Sequence, residues 1–101
     1  MVKRPTEGND FIDGSNSADV ILGLGGDDTL NGLGGDDQIE GGDGNDYIHA
    51  GIGNDILFGG AGNDTIYGNE YALEPGPNGD EDVLDGGTGD DDLQGGTGAD
   101  T

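Results

Sequence analysis

Ten aspartates keep one nine-residue phase: Asp10, Asp19, Asp28, Asp37, Asp46, Asp55, Asp64, Asp82, Asp91 and Asp100. One step is missed, where Leu73 stands. Carboxylates at fixed spacing, each preceded by glycine-rich chain, offer hard oxygen and no softer ligand. That is chemistry for a divalent cation. Calcium suits it best, because it takes roughly six to eight oxygens in a flexible cage, whereas magnesium needs a tighter octahedron and keeps its waters. Zinc finds no ligand set, since cysteine is absent and His49 stands alone. An EF-hand is excluded too: no acidic window has Gly at the sixth loop position and Glu at the twelfth.

Acid–base catalysis is the competing chemistry, suggested by Asp27–Asp28, Asp36–Asp37 and Asp90–Asp91–Asp92. The repeat explains these sets more simply. One member keeps the phase and its neighbour faces solvent. His49 falls at an outward, exposed position, and no Ser or Cys sits in a nucleophile motif. The glycine-rich hexamers lack the Lys and following helix of a phosphate loop. The expectation is a protein that is not an enzyme, with no catalytic residue.

Composition narrows the rest. The chain has 101 residues, 25 Gly, 23 Asp or Glu, 2 Lys or Arg and a formal charge of −21. No disulfide is available, and no apolar run is long enough for a membrane helix. Nucleic acid and anionic lipid would be repelled. Low hydrophobicity with high charge is by itself the signature of a disordered chain. The order of the residues overrides it.

Cut into nines from Pro5, the chain shows what must position the aspartates. Position eight of the blocks is Ile12, Ile21, Leu30, Ile39, Ile48, Leu57, Ile66, Leu84 and Leu93, missing only at Pro75. Position four is Gly in eight of eleven blocks. Glycine allows a sharp turn over the first six positions. The last three read as a short strand with position eight inward and its neighbours outward. Turn and strand in alternation make a solenoid. Nine Ile or Leu are too few to offset the ordering of the whole chain, and stacking brings Asp onto Asp. The cation must supply the difference, so metal binding and folding should be one event.

The blocks resemble the nonapeptide GGxGxDxUx of the RTX (repeats-in-toxin) family, the hemolysin-type calcium-binding repeats. GGDGNDYIH, GGAGNDTIY and GGTGDDDLQ match it fully, and GLGGDDTLN, GLGGDDQIE and AGIGNDILF depart at one Gly. The resemblance implies an all-β fold, a right-handed parallel β-roll of two nonapeptides per coil, with Ca²⁺ in the turns. Block n then stacks on block n+2.

The family's ligand pattern joins a turn to the turn one coil later. The first gives the carbonyls of positions two and four and its Asp; the second gives those of positions one and three and its Asp. Carried over, the best site joins Gly42, Gly44 and Asp46 to Gly59, Ala61 and Asp64. Leu24, Gly26 and Asp28 meet Gly41, Asp43 and Asp46, while Leu33, Gly35 and Asp37 meet Ala50, Ile52 and Asp55. Ser15, Ser17 and Asp19 with Gly32, Gly34 and Asp37 form a weaker site, and Thr6, Gly8 and Asp10 with Gly23, Gly25 and Asp28 an end site. Later on that edge, Gly60, Gly62 and Asp64 would meet Pro77, Gly79 and Asp82; Asn78, Asp80 and Asp82 would meet Gly95, Thr97 and Asp100. Two sites on the other edge are expected to be lost, because the eighth block has no Asp. The matching gives about four or five ions, about seven at most. Seven ions would change the charge from −21 to about −7.

The expected organisation is a tail over 1–4, repeats over 5–67, a degenerate excursion over 68–76 and repeats over 77–101, the last one truncated. Family resemblance implies a secreted, extracellular module exported by a type I system, although no export signal is visible. The last block stops one residue short of its aliphatic position, which suggests a fragment of a larger protein. Calcium is the expected partner. An adhesin-like module is the alternative, binding a polysaccharide or protein through an outer strip of Phe11, Tyr47, Phe58 and Tyr67. An inactive remnant is the third reading.

Overall fold

The computed structural model describes residues 7–68 and 82–94. Every regular element among them is a strand: β1 Phe11–Ser15, β2 Val20–Leu22, β3 Thr29–Leu33, β4 Gln38–Asp43, β5 Tyr47–His49, β6 Ile56–Ala61, β7 Thr65–Tyr67, β8 Val83–Asp85 and β9 Asp92–Gln94. Successive strands alternate between two parallel sheets. One has the order β1-β3-β5-β7-β9, the other β2-β4-β6-β8. Glycine-rich turns force this alternation: each sends the chain across to the opposite sheet before it can extend again.

The register confirms two nonapeptides per coil. Ile12 pairs with Leu30, Leu30 with Ile48 and Ile48 with Ile66 in one sheet; Ile21 pairs with Ile39 and Ile39 with Leu57 in the other. Each partner is 18 residues on. The step then changes to 27, because Leu57 pairs with Leu84 and Ile66 with Leu93. The stack passes over one nonapeptide. Leu73 and Pro75 occupy the Asp and aliphatic places of that block, so it has neither the edge carboxylate nor the core residue of a coil. The expected excursion at 68–76 lies almost wholly outside the described residues.

The core is a single inner layer of Ile12, Ile21, Leu30, Ile39, Ile48, Ala50, Leu57 and Ile66, with Leu84 packed against it. A one-residue slip in any strand would turn these side chains outward. Leu93 differs from the other position-eight residues in being 43% exposed. Its strand, β9, stands at one side of its sheet, with β7 as its neighbour.

Four strands outrun the three residues expected from the pattern. β1, β3, β4 and β6 continue into the next block through Gly14, Gly32, Gly41 and Gly59. None of these position-one glycines has positive φ. Their backbone is strand-like, so the ladder runs on before the chain turns.

Candidate metal centre

The turns line the two edges of the roll. From Gly23 onward, positions two and four of the described turns adopt the left-handed region. At position four this holds from Gly26 (φ 91°) to Gly53 (φ 120°). At position two, Leu24 (φ 74°) and Leu33 (φ 76°) adopt it without being glycine, at a cost of about 1–2 kcal/mol each. Position one is glycine for a different reason, which is space.

Asp10, Asp28, Asp46, Asp64 and Asp91 follow one another along one edge. Each Asp N–H donates to Oδ1 of the next, at 2.8, 2.9, 2.8 and 2.8 Å. Asp19, Asp37, Asp55 and Asp82 form the same ladder on the other edge, at 2.8, 2.7 and 2.8 Å. These bonds use only one oxygen of each carboxylate. Oδ2 of Asp28, Asp37, Asp46, Asp55 and Asp64 is buried and has no hydrogen-bond partner.

The surroundings of those oxygens show what they lack. A Cβ on Gly32 would stand 2.5 Å from Asp37 Oδ2 and 2.5 Å from the carbonyl oxygen of Ala50, one coil on. On Gly59 it would stand 2.5 Å from Asp64 Oδ2 and 2.7 Å from the Gly86 carbonyl. Gly23 and Gly41 repeat the arrangement toward Asp28 with Gly41, and toward Asp46 with Gly59. A carboxylate oxygen therefore faces a carbonyl oxygen across the coil step. A buried carboxylate oxygen left without a donor beside a carbonyl is costly. A cation or a proton resolves the conflict. Ala50 takes the position-one place in the Asp55 turn and is fully buried.

The donor set is all oxygen, which fits calcium. Among the described residues no three His, Cys, Asp or Glu side chains converge on one point. A cage must draw on backbone carbonyls. At position two, Leu24 and Leu33 accept the N–H of Asp43 and Ile52, each at 2.8 Å, and Gly60 accepts that of Thr88 at 3.1 Å. Ala61 accepts the N–H of Gly44 at 3.0 Å. Each of these carbonyls keeps a second lone pair.

Burial dominates the titration of the edge. It pushes Asp37 up to about 6 and Asp46 and Asp55 up to about 7, with neighbouring aspartates adding to the rise. Asp28 and Asp64 rise for the same first reason. Without metal, the folded state then holds more protons than the unfolded chain, whose carboxylates titrate near 4. Stability from these groups is complete below that value and is lost as pH rises through about 6 to 7. In EDTA, circular dichroism should show β signal growing as pH falls from 8 to 5. A flat signal over that range would contradict the assignment.

The structure corrects several expectations. Asp64 meets Asp91, at 2.8 Å, and not Asp82. Asp82 lies on the opposite edge with Asp55, at 2.8 Å, so that edge keeps a step that was expected to be lost. Both corrections follow from the passed-over block. Asp91 was missed as a site residue for the same reason, although its turn, Gly86–Asp91, is among the least degenerate. Gly79, and the partner turns at Gly95, Thr97 and Asp100, fall outside the described residues.

The position-five neighbours also do more than face solvent. Asn9, Asp27, Asn45 and Asn63 accept the N–H of Asp27, Asn45, Asn63 and Asp90 at 2.7–2.9 Å, and Asp36 accepts that of Asn54 at 2.9 Å. The aromatic strip is divided, since Phe58 is on β6 and the other three are on the opposite sheet. His49 is half-buried between Tyr47 and Tyr67, with ring centroids 5.1 and 5.0 Å away. No helix among the described residues is long and apolar enough to cross a membrane.

Comparison with known proteins agrees with this geometry. The family model for the RTX calcium-binding nonapeptide repeat matches in four copies, over residues 6–39, 22–57, 40–70 and 78–101. Searches of curated proteins and of solved structures returned no match. With ordered turns, parallel coils and a ladder of edge aspartates in the phase of that repeat, the chain belongs to the RTX calcium-binding nonapeptide repeat family.

Proposed function

We propose that this chain is a calcium-responsive structural module, without catalytic activity of its own, that folds outside the cell as Ca²⁺ enters its turns. The observation that carries the reading is the row of buried Oδ2 atoms without hydrogen-bond partners, those of Asp28, Asp37, Asp46 and Asp64 set beside a backbone carbonyl of the next coil. Family membership supports the choice of cation, and extracellular millimolar calcium suits sites of low affinity.

The ligand sets that best fit the stack join Leu24, Gly26 and Asp28 to Gly41, Asp43 and Asp46, and Gly42, Gly44 and Asp46 to Gly59, Ala61 and Asp64. Leu33, Gly35 and Asp37 join Ala50, Ile52 and Asp55. The corrected stacking adds Asp64 with the turn of Asp91, and Asp55 with that of Asp82. Seven Asp-to-Asp steps are present among the described residues, four on one edge and three on the other. They set the upper bound on ions at about seven.

Equilibrium dialysis against about 5 mM CaCl₂, above the range of extracellular modules, should retain several calcium ions per chain. Retention of one ion or none would overturn the proposal.

A further inference from the structure

The turn Gly14–Asp19 differs from the others. Its position-two residue is Ser15, which continues strand β1 and lacks the positive φ found at Leu24, Leu33, Gly42, Gly51, Gly60 and Gly87. Its position-four residue is Ser17 where the neighbouring turns have glycine. The extended backbone at Ser15 aims its N–H at the carboxylate of its own turn. The Ser15 N–H donates to Asp19 Oδ2 at 2.6 Å, and the Ser15 hydroxyl lies 3.0 Å from Oδ2 and 3.2 Å from Oδ1. Ser17 N–H in turn donates to Ser15 Oγ at 3.2 Å, holding the hydroxyl in place.

Asp19 Oδ2 occupies the place that is unsatisfied in the turns of Asp28, Asp37, Asp46, Asp55 and Asp64. It stands 2.6 Å from where a Gly14 Cβ would lie, with the Gly32 carbonyl 2.9 Å from the same point. Here the donors are built into the chain.

We infer that Ser15 replaces the cation at the Asp19 turn, so the step from Asp19 to Asp37 binds no calcium and is closed in its absence. Ser15 is a positioning residue, holding Asp19 for the backbone. The inference rests on the reading of the remaining turns as calcium sites. It removes one of the seven steps and corrects the expectation that Ser15, Ser17 and Asp19 form a weak site with Gly32, Gly34 and Asp37. It also gives the roll one coil step that is ordered before calcium arrives, against which later coils can stack.

Native mass spectrometry of the full chain in calcium acetate tests this through ion counts. Asp19→Asn should retain the wild-type number of calcium ions. The double variant Ser15→Gly with Ser17→Gly restores glycine at positions two and four and should bind one more. Loss of an ion in Asp19→Asn, or an unchanged count in the double variant, would overturn the inference. Hydrogen exchange in EDTA supplies a second readout: amides 15–19 should be protected in the wild type and exchange at least tenfold faster in Ser15→Gly. Equal rates would also overturn it. A wild type that binds no calcium at all, yet protects 15–19, would mean the general calcium reading has failed while this turn behaves as inferred.

Discussion

Asp46→Asn is expected to fold more readily than the wild type without calcium and to bind fewer ions with it. Asp46 Oδ1 accepts the N–H of Asp28 at 2.9 Å, so the amide oxygen of Asn must take that side. Its NH₂ is then placed at the unsatisfied Oδ2 position, beside the Gly59 carbonyl. A repulsive oxygen pair becomes a donor and an acceptor. Relieving a buried unsatisfied group is worth about 1–3 kcal/mol, so metal-free β signal should rise. The same change removes a charged ligand shared by the steps to Asp28 and to Asp64. The calcium count should fall by up to two. Asp46→Ala loses those ligands and also strands the Asp28 N–H, so it should be the weaker folder under both conditions. A wild-type calcium count in both variants would contradict this role for Asp46.

Gly44→Ala should be among the most damaging small substitutions in the turns. Gly44 has φ 112°, and a Cβ there would overlap the backbone carbonyl of Gly26 one coil earlier. Strain in that region costs roughly 1–3 kcal/mol, and forced overpacking about as much again. Gly34→Ala is the control. Its φ is not positive, and its Cβ would meet only Asn16, at 3.3 Å or more. Where folding is coupled to about six ions, a loss of ~3 kcal/mol raises the calcium midpoint roughly two- to threefold. Gly34→Ala should leave it nearly unchanged. Equal midpoints in the two variants would contradict the account of the turn.

Much of this architecture is legible in the sequence because two periods coincide. The aliphatic residue at position eight must face inward in a strand, and the Asp at position six must fall on a turn, so phase alone locates the core and the edges. Phase does not say which block is left out of the stack. Leu73 and Pro75 mark a defective block, but the two possible partners of Asp64, Asp82 and Asp91, keep the same nine-residue phase. Only the register of β7 on β9 separates them. Nor does the repeat distinguish the reasons for its glycines. At Gly44 the backbone conformation demands one, whereas at Gly32 the requirement is room between a carboxylate and a carbonyl. Ser15 was legible as a departure from glycine. Its consequence was not, because it depends on the direction of one N–H.

Membership of the family and the stacked fold leave one central claim to measure: that the unsatisfied edge oxygens make folding wait for calcium. The most direct test is far-UV circular dichroism of the whole chain at neutral pH, titrated separately with CaCl₂ and MgCl₂ after EDTA treatment. The account predicts a weakly structured chain that gains β signal cooperatively as calcium approaches the millimolar range, and little gain with magnesium at the same concentration. No gain up to ~10 mM calcium, beyond the range of the weakest extracellular sites, or full β signal already present in EDTA, would contradict it.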